Sequence, residues 1–254
     1  MANLILWIRD SVTATVKYSI CISHFNNAKT VRKSLDSVLN QLNNDYEVVV
    51  VDNLSSDGSQ EILREYKGLG RVELIEEKST RGKARQIAFD HSKGDYIITN
   101  MDMDDDFLPN LKILCEEYHQ RYEGLMLRVR RSPYEDKEIY TSITIAPREL
   151  IARIGGWKDT NWNEDADLWI RAKKMGKFIE INFPIVAERG KHPERRTLIG
   201  RLKHRYLVYR DGFLVGYIPA PPNKMQLPIY MLARIDAKFR RLGIRGHVFS
   251  DGLA

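Results

Sequence analysis

From Tyr18 onward, short β-rich runs alternate with stretches of helical periodicity, and this alternation restricts the chain to few folds. Tyr18–Ser23 and Glu47–Asp52 are near-continuous apolar runs, the pattern of strands buried on both faces. Between them, Val31, Leu35, Val38, Leu39 and Leu42 fall on one helical stripe. The spacing predicts helices at Gln60–Tyr66, at Gly82–Ser92 with Gly94 ending it, and from Pro109 to about Tyr122. Strands are expected at Arg71–Ile75 and Asp95–Asn100. Strand-helix alternation of this kind means βαβ crossovers, hence an α/β fold with a mostly parallel, Rossmann-like sheet flanked by helices. Ligands of such sheets bind beyond the carboxyl ends of the strands, which points to the loops after Ser23, Val51 and Thr99.

After Gly124 the texture changes. Leu125–Arg130, Tyr140–Ile145 and Phe178–Asn182 read as strands. Pro147–Ile154 reads as a short helix, and Glu164–Met175 as a longer one closed by Gly176. The expected organisation is a lead segment 1–17, a catalytic domain 18–188 with halves 18–106 and 107–188, and a basic, partly helical C-terminal extension 189–254. A chain of 254 residues that is 43% hydrophobic can bury a sizeable core, and no stretch is low-complexity, which excludes a disordered or fibrous protein. Cys21 and Cys115 lack disulfide or metal spacing and read as buried small hydrophobes in a reducing compartment. No window holds the about 18 uninterrupted apolar residues of a spanning helix. The first ten residues lack a basic region and a long apolar run, so no signal peptide is expected. These features call for a soluble or peripheral protein in the cytoplasm.

Charge is spread unevenly. The net charge is +6, but 186–245 alone carries 14 Lys/Arg against four Asp/Glu, a local +10, which leaves −4 elsewhere. A basic tail behind a slightly acidic body fits an anionic partner or, equally, a solvated helical face. Clustered cations there flank apolar stretches around Tyr206–Tyr209, Gly212–Ile218 and Leu227–Ala233. That composition suits a segment lying on an anionic membrane surface, here the inner face of the cell membrane. Packing against the domain or a second copy in a homo-oligomer is the alternative.

Candidate chemistry gathers in the loops. Asp102, Asp104, Asp105 and Asp106 place four carboxylates in five positions at a strand mouth, where they repel unless a cation or donors compensate. Hard oxygen ligands of this kind suit Mg²⁺ or Mn²⁺ shared with a diphosphate, although an acidic turn capping the next helix has the same composition. Asp52 at a strand end can accept hydrogen bonds from a base N–H or a ribose hydroxyl. Arg81, Lys83 and Arg85 crowd the start of a helix, an arrangement that receives anions. Glu164 and Asp165 open another helix, where a carboxylate can cap or serve as a general base.

Taken together, these fragments resemble the family 2 glycosyltransferases of the GT-A fold. The family's first strand and loop look like Ser19-Ile20-Cys21-Ile22-Ser23-His24-Phe25-Asn26, and its nucleotide loop like Val51 through Ser59. Its central helix and strand look like Arg81–Gln86 and Gly94–Ile97. Its metal motif matches Asp102-Met103-Asp104-Asp105, and its late motif matches Gly155-Gly156-Trp157 followed by Glu164-Asp165. The five stand in the family's order and spacing from about Tyr18 to Phe183. Three positions depart from the usual pattern: Ser23-His24-Phe25 for Pro-Thr-Tyr, Asn53 for the second Asp, and Gln86 for Asn.

The resemblance implies an inverting, metal-dependent transferase that uses a nucleoside-diphosphate sugar of the UDP or GDP type. By resemblance, Ser23, His24, Asp52, Arg81, Lys83, Arg85, Asp102 and Met103 would hold the nucleotide sugar. Asp104 and Asp102, with His192, would hold Mn²⁺ or Mg²⁺, while Gly156 and Trp157 would lie on the acceptor side. Asp165 would be the general base, with Glu164 orienting it or taking its place. The implied acceptor is a hydroxyl or lipid phosphate of a glycan or lipid-linked molecule. Two other classes share some features. A nucleotidyltransferase acting on sugar phosphates would normally carry a Gly-rich basic loop after the first strand, which His24-Phe25-Asn26-Asn27 is not. A basic nucleic-acid-binding protein fits the pI of about 9.2, but no zinc-finger spacing or aromatic-basic RNA motif appears, so no nucleic-acid partner is expected.

Overall fold

The computed structural model describes residues 16–130, 142–188, 198–215 and 227–242. Seven strands form one sheet: β1 (Tyr18–His24), β2 (Tyr46–Asp52), β3 (Glu73–Glu76), β4 (Tyr96–Thr99), β6 (Met126–Arg130), β7 (Ser142–Pro147) and β8 (Phe178–Asn182). Their order is β3-β2-β1-β4-β7-β6-β8, parallel except for β7, which runs antiparallel to both neighbours. The mostly parallel sheet is the one the apolar runs call for.

Alternation along β1 and β2 feeds two cores at once. Ile20, Ile22, Val48 and Val50 enter one cluster with Val31, Leu35 and Val38 of α1 (Val31–Leu39) and Leu63 of α2 (Ser59–Gly68). Cys21, Val49 and Val51 face the other way. They meet Ala84, Ile87 and Ala88 of α3 (Arg81–His91) and Leu168 and Ala172 of α6 (Glu164–Lys174). Strands buried on both faces can carry no polar side, which is why they read as unbroken apolar runs. Helices α4 (Leu111–Arg121) and α5 (Arg148–Arg153) complete the layers.

Three details differ from the sequence reading. Gly94 does not cap α3; the helix ends at Ser92 in an extended conformation. Gly94 is glycine because a Cβ there would lie 2.7 Å from the Ser19 backbone nitrogen. Helix α4 begins at Leu111 with Asn110 as its cap, two residues after Pro109. A second, two-stranded sheet, β5 (Asp106–Phe107) with β9 (Val186–Glu188), lies beyond β4 and has no counterpart in the sequence reading.

Within the basic extension, α7 (Leu198–Val215) and α8 (Leu227–Arg241) form a packed pair, and α7 also touches α6. Tyr206 and Tyr209 turn inward against Ala233, so these rings are packing elements of the pair. The Tyr206 hydroxyl donates to Asp236 Oδ2 at 2.5 Å, and Tyr230 meets the rings of Tyr209 and Phe213 edge-on. No helix among the described residues is long and apolar enough to cross a membrane.

Candidate active site

The carboxyl ends of β1, β2 and β4 open into loops that hydrogen-bond to one another. The Asn53 N–H donates to the His24 carbonyl at 3.0 Å, and the Asn26 N–H donates to Ser55 Oγ at 2.9 Å. Asn26 returns the contact, accepting from the Ser56 N–H at 2.9 Å, while the Ala28 N–H donates to Asp57. Asp52 is fully buried and works within this loop. It accepts from the Ser55 N–H, the Ser55 hydroxyl and the Gln60 amide. Leu54 sits at φ 54°, an uncommon conformation for a non-glycine residue, and is 47% exposed. The His24 ring is buried and neither nitrogen has a hydrogen-bond partner among the described residues; burial lowers its pKa.

Beyond β4, Asp102, Asp104 and Asp105 bring one carboxylate oxygen each within 4.8 Å of one another. Three hard oxygen donors at that spacing fit a divalent cation of the Mg²⁺ or Mn²⁺ type. Asp105, which the sequence reading left out of the metal set, is the most buried of the three. Its membership in the Asp-Met-Asp-Asp run was the available signal. Met103 points into the core and is 1% exposed; its carbonyl accepts from Thr30 Oγ1. His192 lies outside the described residues.

Glu164 and Asp165 open α6 and converge on one cation. Arg85 Nη1 donates to Glu164 Oε1 at 2.5 Å and also to Asp165 Oδ1. Arg85 itself is 4% exposed, and Asp102 adds to the negative field that holds its charge, against a burial cost that opposes it. One guanidinium thus pairs with both α6 carboxylates and lies in the field of Asp102. Burial and the neighbouring Asp165 charge push the Glu164 carboxyl up to about 7, against the pull of Arg85. Arg81 stands over the Trp162 ring and 3.9 Å from Glu164, and Lys83 is exposed beside it.

Around this centre the supporting contacts are dense. Gly82 opens α3 so close to residues 158–160 that a Cβ would lie 2.0 Å from the Lys158 carbonyl. Gly156 adopts φ 61°, and Gln86 Oε1 accepts from the Trp157 N–H at 2.9 Å. A Cβ on Gly156 would meet that same Gln86 oxygen at 2.0 Å, so the Gly-Gly-Trp turn is packed onto α3. Trp157 is buried against Phe89. Asp167 is also buried; it binds Lys158 and Arg171, and Arg171 donates to the Ile154 and Gly156 carbonyls. Gln86 and Asp167 were not singled out as site residues from the sequence; Gln86 acts on a partner 71 residues away, and Asp167 sits in an acidic helix start that reads as ordinary capping.

In sequence and in fold the chain is similar to known proteins. The family model described as "Glycosyl transferase family 2" matches residues 19–180. The poly(ribitol-phosphate) β-N-acetylglucosaminyltransferase TarP of Staphylococcus aureus is 31% identical over 94 residues, 35% of this chain and 28% of its own. Chondroitin synthase of Escherichia coli is 28% identical over 189 residues, 65% of this chain and 27% of its own. The chain therefore spans well under half the length of these curated relatives. Among solved structures, the mannosyltransferase PcManGT of Pyrobaculum calidifontis, in complex with GDP-Man and Mn²⁺, superposes with a TM-score of 0.62. It is 19% identical, and the match covers 91% of this chain and 76% of that one. The common architecture is the GT-A type of sheet.

Proposed function

The chain belongs to glycosyltransferase family 2, and from that premise we propose that it transfers a sugar, with inversion, from a nucleoside diphosphate of the UDP or GDP type to an acceptor. The acceptor is a hydroxyl or phosphate of a glycan or lipid-linked molecule, met at the inner face of the membrane. The observation that carries this reading is the pairing of Glu164 and Asp165 with the buried Arg85, whose charge is also favoured by Asp102 of the Asp102/Asp104/Asp105 cluster. Donor chemistry and acceptor chemistry then share one edge of the sheet.

The loops after β1 and β2 form the nucleoside end, with Ser23, the backbone at His24 and the Asp52-anchored turn as its walls. Asp102, Asp104 and Asp105 would hold a Mn²⁺ or Mg²⁺ ion, which when bound would supply Lewis-acid neutralisation of the leaving diphosphate; His192, a ligand by the family resemblance, lies outside the described residues. The nucleotide sugar of PcManGT and its Mn²⁺ support that pairing of ligand and metal. Arg81 and Lys83, exposed at the mouth, add positive charge toward the same diphosphate. An inverting displacement needs a base beside the acceptor oxygen. Asp165 suits that role better than Glu164, because its side chain is 20% exposed while that of Glu164 is 3% exposed. Glu164 balances the Arg85 charge and fixes the guanidinium that orients Asp165; Gly156 and Trp157 shape the acceptor side from behind.

The test is thermal stabilisation by UDP and GDP with and without Mn²⁺, because a ligand that binds only the folded state raises the midpoint. A Mn²⁺-dependent rise with one of the two is expected. No rise with either, at saturating metal, rejects the reading.

A further inference from the structure

Helix α8 has two apolar faces, and the fold uses only one. Ala233 and Ala237, with Asp236 between them, pack onto α7. Opposite, Leu227, Met231, Ile235 and Phe239 recur every four residues and are 45–50% exposed. Leu232 and Leu242 widen the same stripe. Six of the eleven large exposed hydrophobics among the described residues thus lie on or beside one helix. Large side chains gathered on a solvent-facing stripe are not explained by packing within the chain.

The edge of that stripe is cationic. Arg234 and Lys238 lie beside Met231 and Ile235 on the helical wheel, are exposed, and have no carboxylate partner among the described residues. Arg240 and Arg241 are engaged instead with Asp236 and with the Phe213 carbonyl. The wider segment 186–245 carries +10 against −4 for the rest of the sequence, so positive charge is concentrated in this part of the chain. Two occupants could cover the stripe. A second copy would set Arg234 and Lys238 of one helix against those of the other, with no carboxylate on the stripe to offset them. An anionic lipid surface satisfies both the apolar stripe and its cations.

We infer that α8 lies flat on an anionic bilayer, its Leu227–Phe239 stripe in the headgroup–acyl boundary and Arg234 and Lys238 on lipid phosphates. This deepens the proposed function by naming the element that brings the site to a membrane-borne acceptor. It also moves the membrane contact away from Tyr206 and Tyr209, which are buried in the helix pair.

The full chain is sedimented with vesicles of phosphatidylcholine alone or with added phosphatidylglycerol, at low and high salt. The expected result is binding to the anionic vesicles that weakens with salt. Met231→Gln/Ile235→Gln/Phe239→Gln should reduce binding roughly a hundredfold. Arg234→Ser/Lys238→Ser should reduce it about 30-fold on anionic vesicles only. All these positions are exposed, so folding is spared, and Mn²⁺-dependent stabilisation by UDP or GDP should match the wild type in both variants. Absent binding by the wild type, or undiminished binding by the apolar variant, overturns the inference. So does a lipid-free dimer that the apolar variant dissociates, which assigns the stripe to a second copy. Loss of nucleotide stabilisation in the wild type would instead count against the transferase reading and leave the vesicle result to stand by itself.

Discussion

Arg85 is 4% exposed and pairs with two carboxylates, 79 and 80 residues further along the chain. Removing it would leave the buried Glu164 without its hydrogen-bonded cation, a change that typically costs about 3–5 kcal/mol. Nothing local to Arg81–Gln86 announces this: the sequence reading took the basic helix start as an anion receptor, and only the fold brings α6 to it. Glu164 offers a titration test. Its carboxyl ionises at about 7 in the folded chain against an ordinary 4.5, so the folded state retains this proton longer than the unfolded one. The stability it contributes is therefore full below about pH 4.5 and is lost as pH rises toward about 7. In Glu164→Gln the fall in melting midpoint across that window should flatten, measured by thermal unfolding from pH 4.5 to 8. An unchanged profile would mean that Glu164 does not titrate there. Asp104→Asn should melt close to the wild type without metal but lose the Mn²⁺-dependent stabilisation by nucleoside diphosphate, read in the same assay. Full retention of that stabilisation would remove Asp104 from the metal set.

At the scale of elements, the parallel strands were legible because burial on both faces leaves unbroken apolar runs, as in Glu47–Asp52. The β5–β9 pair was not, since strands of two and three residues are too short to carry a period. The role of Gly94 was misread for a related reason: its close approach is to β1, a neighbour in space alone. The junction between α3 and the segment before α6 was equally hidden. There, Thr80 caps Lys83 and donates to Asp159 at 2.5 Å, the Arg81 N–H donates to Asn161, and Gly82 touches the Lys158 carbonyl. Gly82→Ala would force these elements apart and draw Arg85 from its carboxylates. The expectation is a loss of about 1–3 kcal/mol in denaturant unfolding, the usual cost of overpacking. Wild-type stability would show that the junction yields easily and that Arg85 does not depend on it.

At the scale of the molecule, one sheet edge collects every loop that the chain pattern nominated, and the basic extension meets the same region. Asn163, at φ 58° immediately before Glu164, donates through its amide to the Val208 carbonyl of α7 at 2.8 Å. The helix pair is therefore tied to the start of α6, beside the proposed base. The central claim is that the acidic cluster and the α6 pair form a single reaction centre with separable tasks. The most direct measurement is single-turnover sugar transfer by Asp165→Asn, with nucleotide affinity determined on the same preparation. The account predicts a rate reduced roughly 10²–10⁴-fold with nucleotide affinity nearly unchanged. Collapse of donor binding with an undiminished rate on the donor that does bind would contradict it.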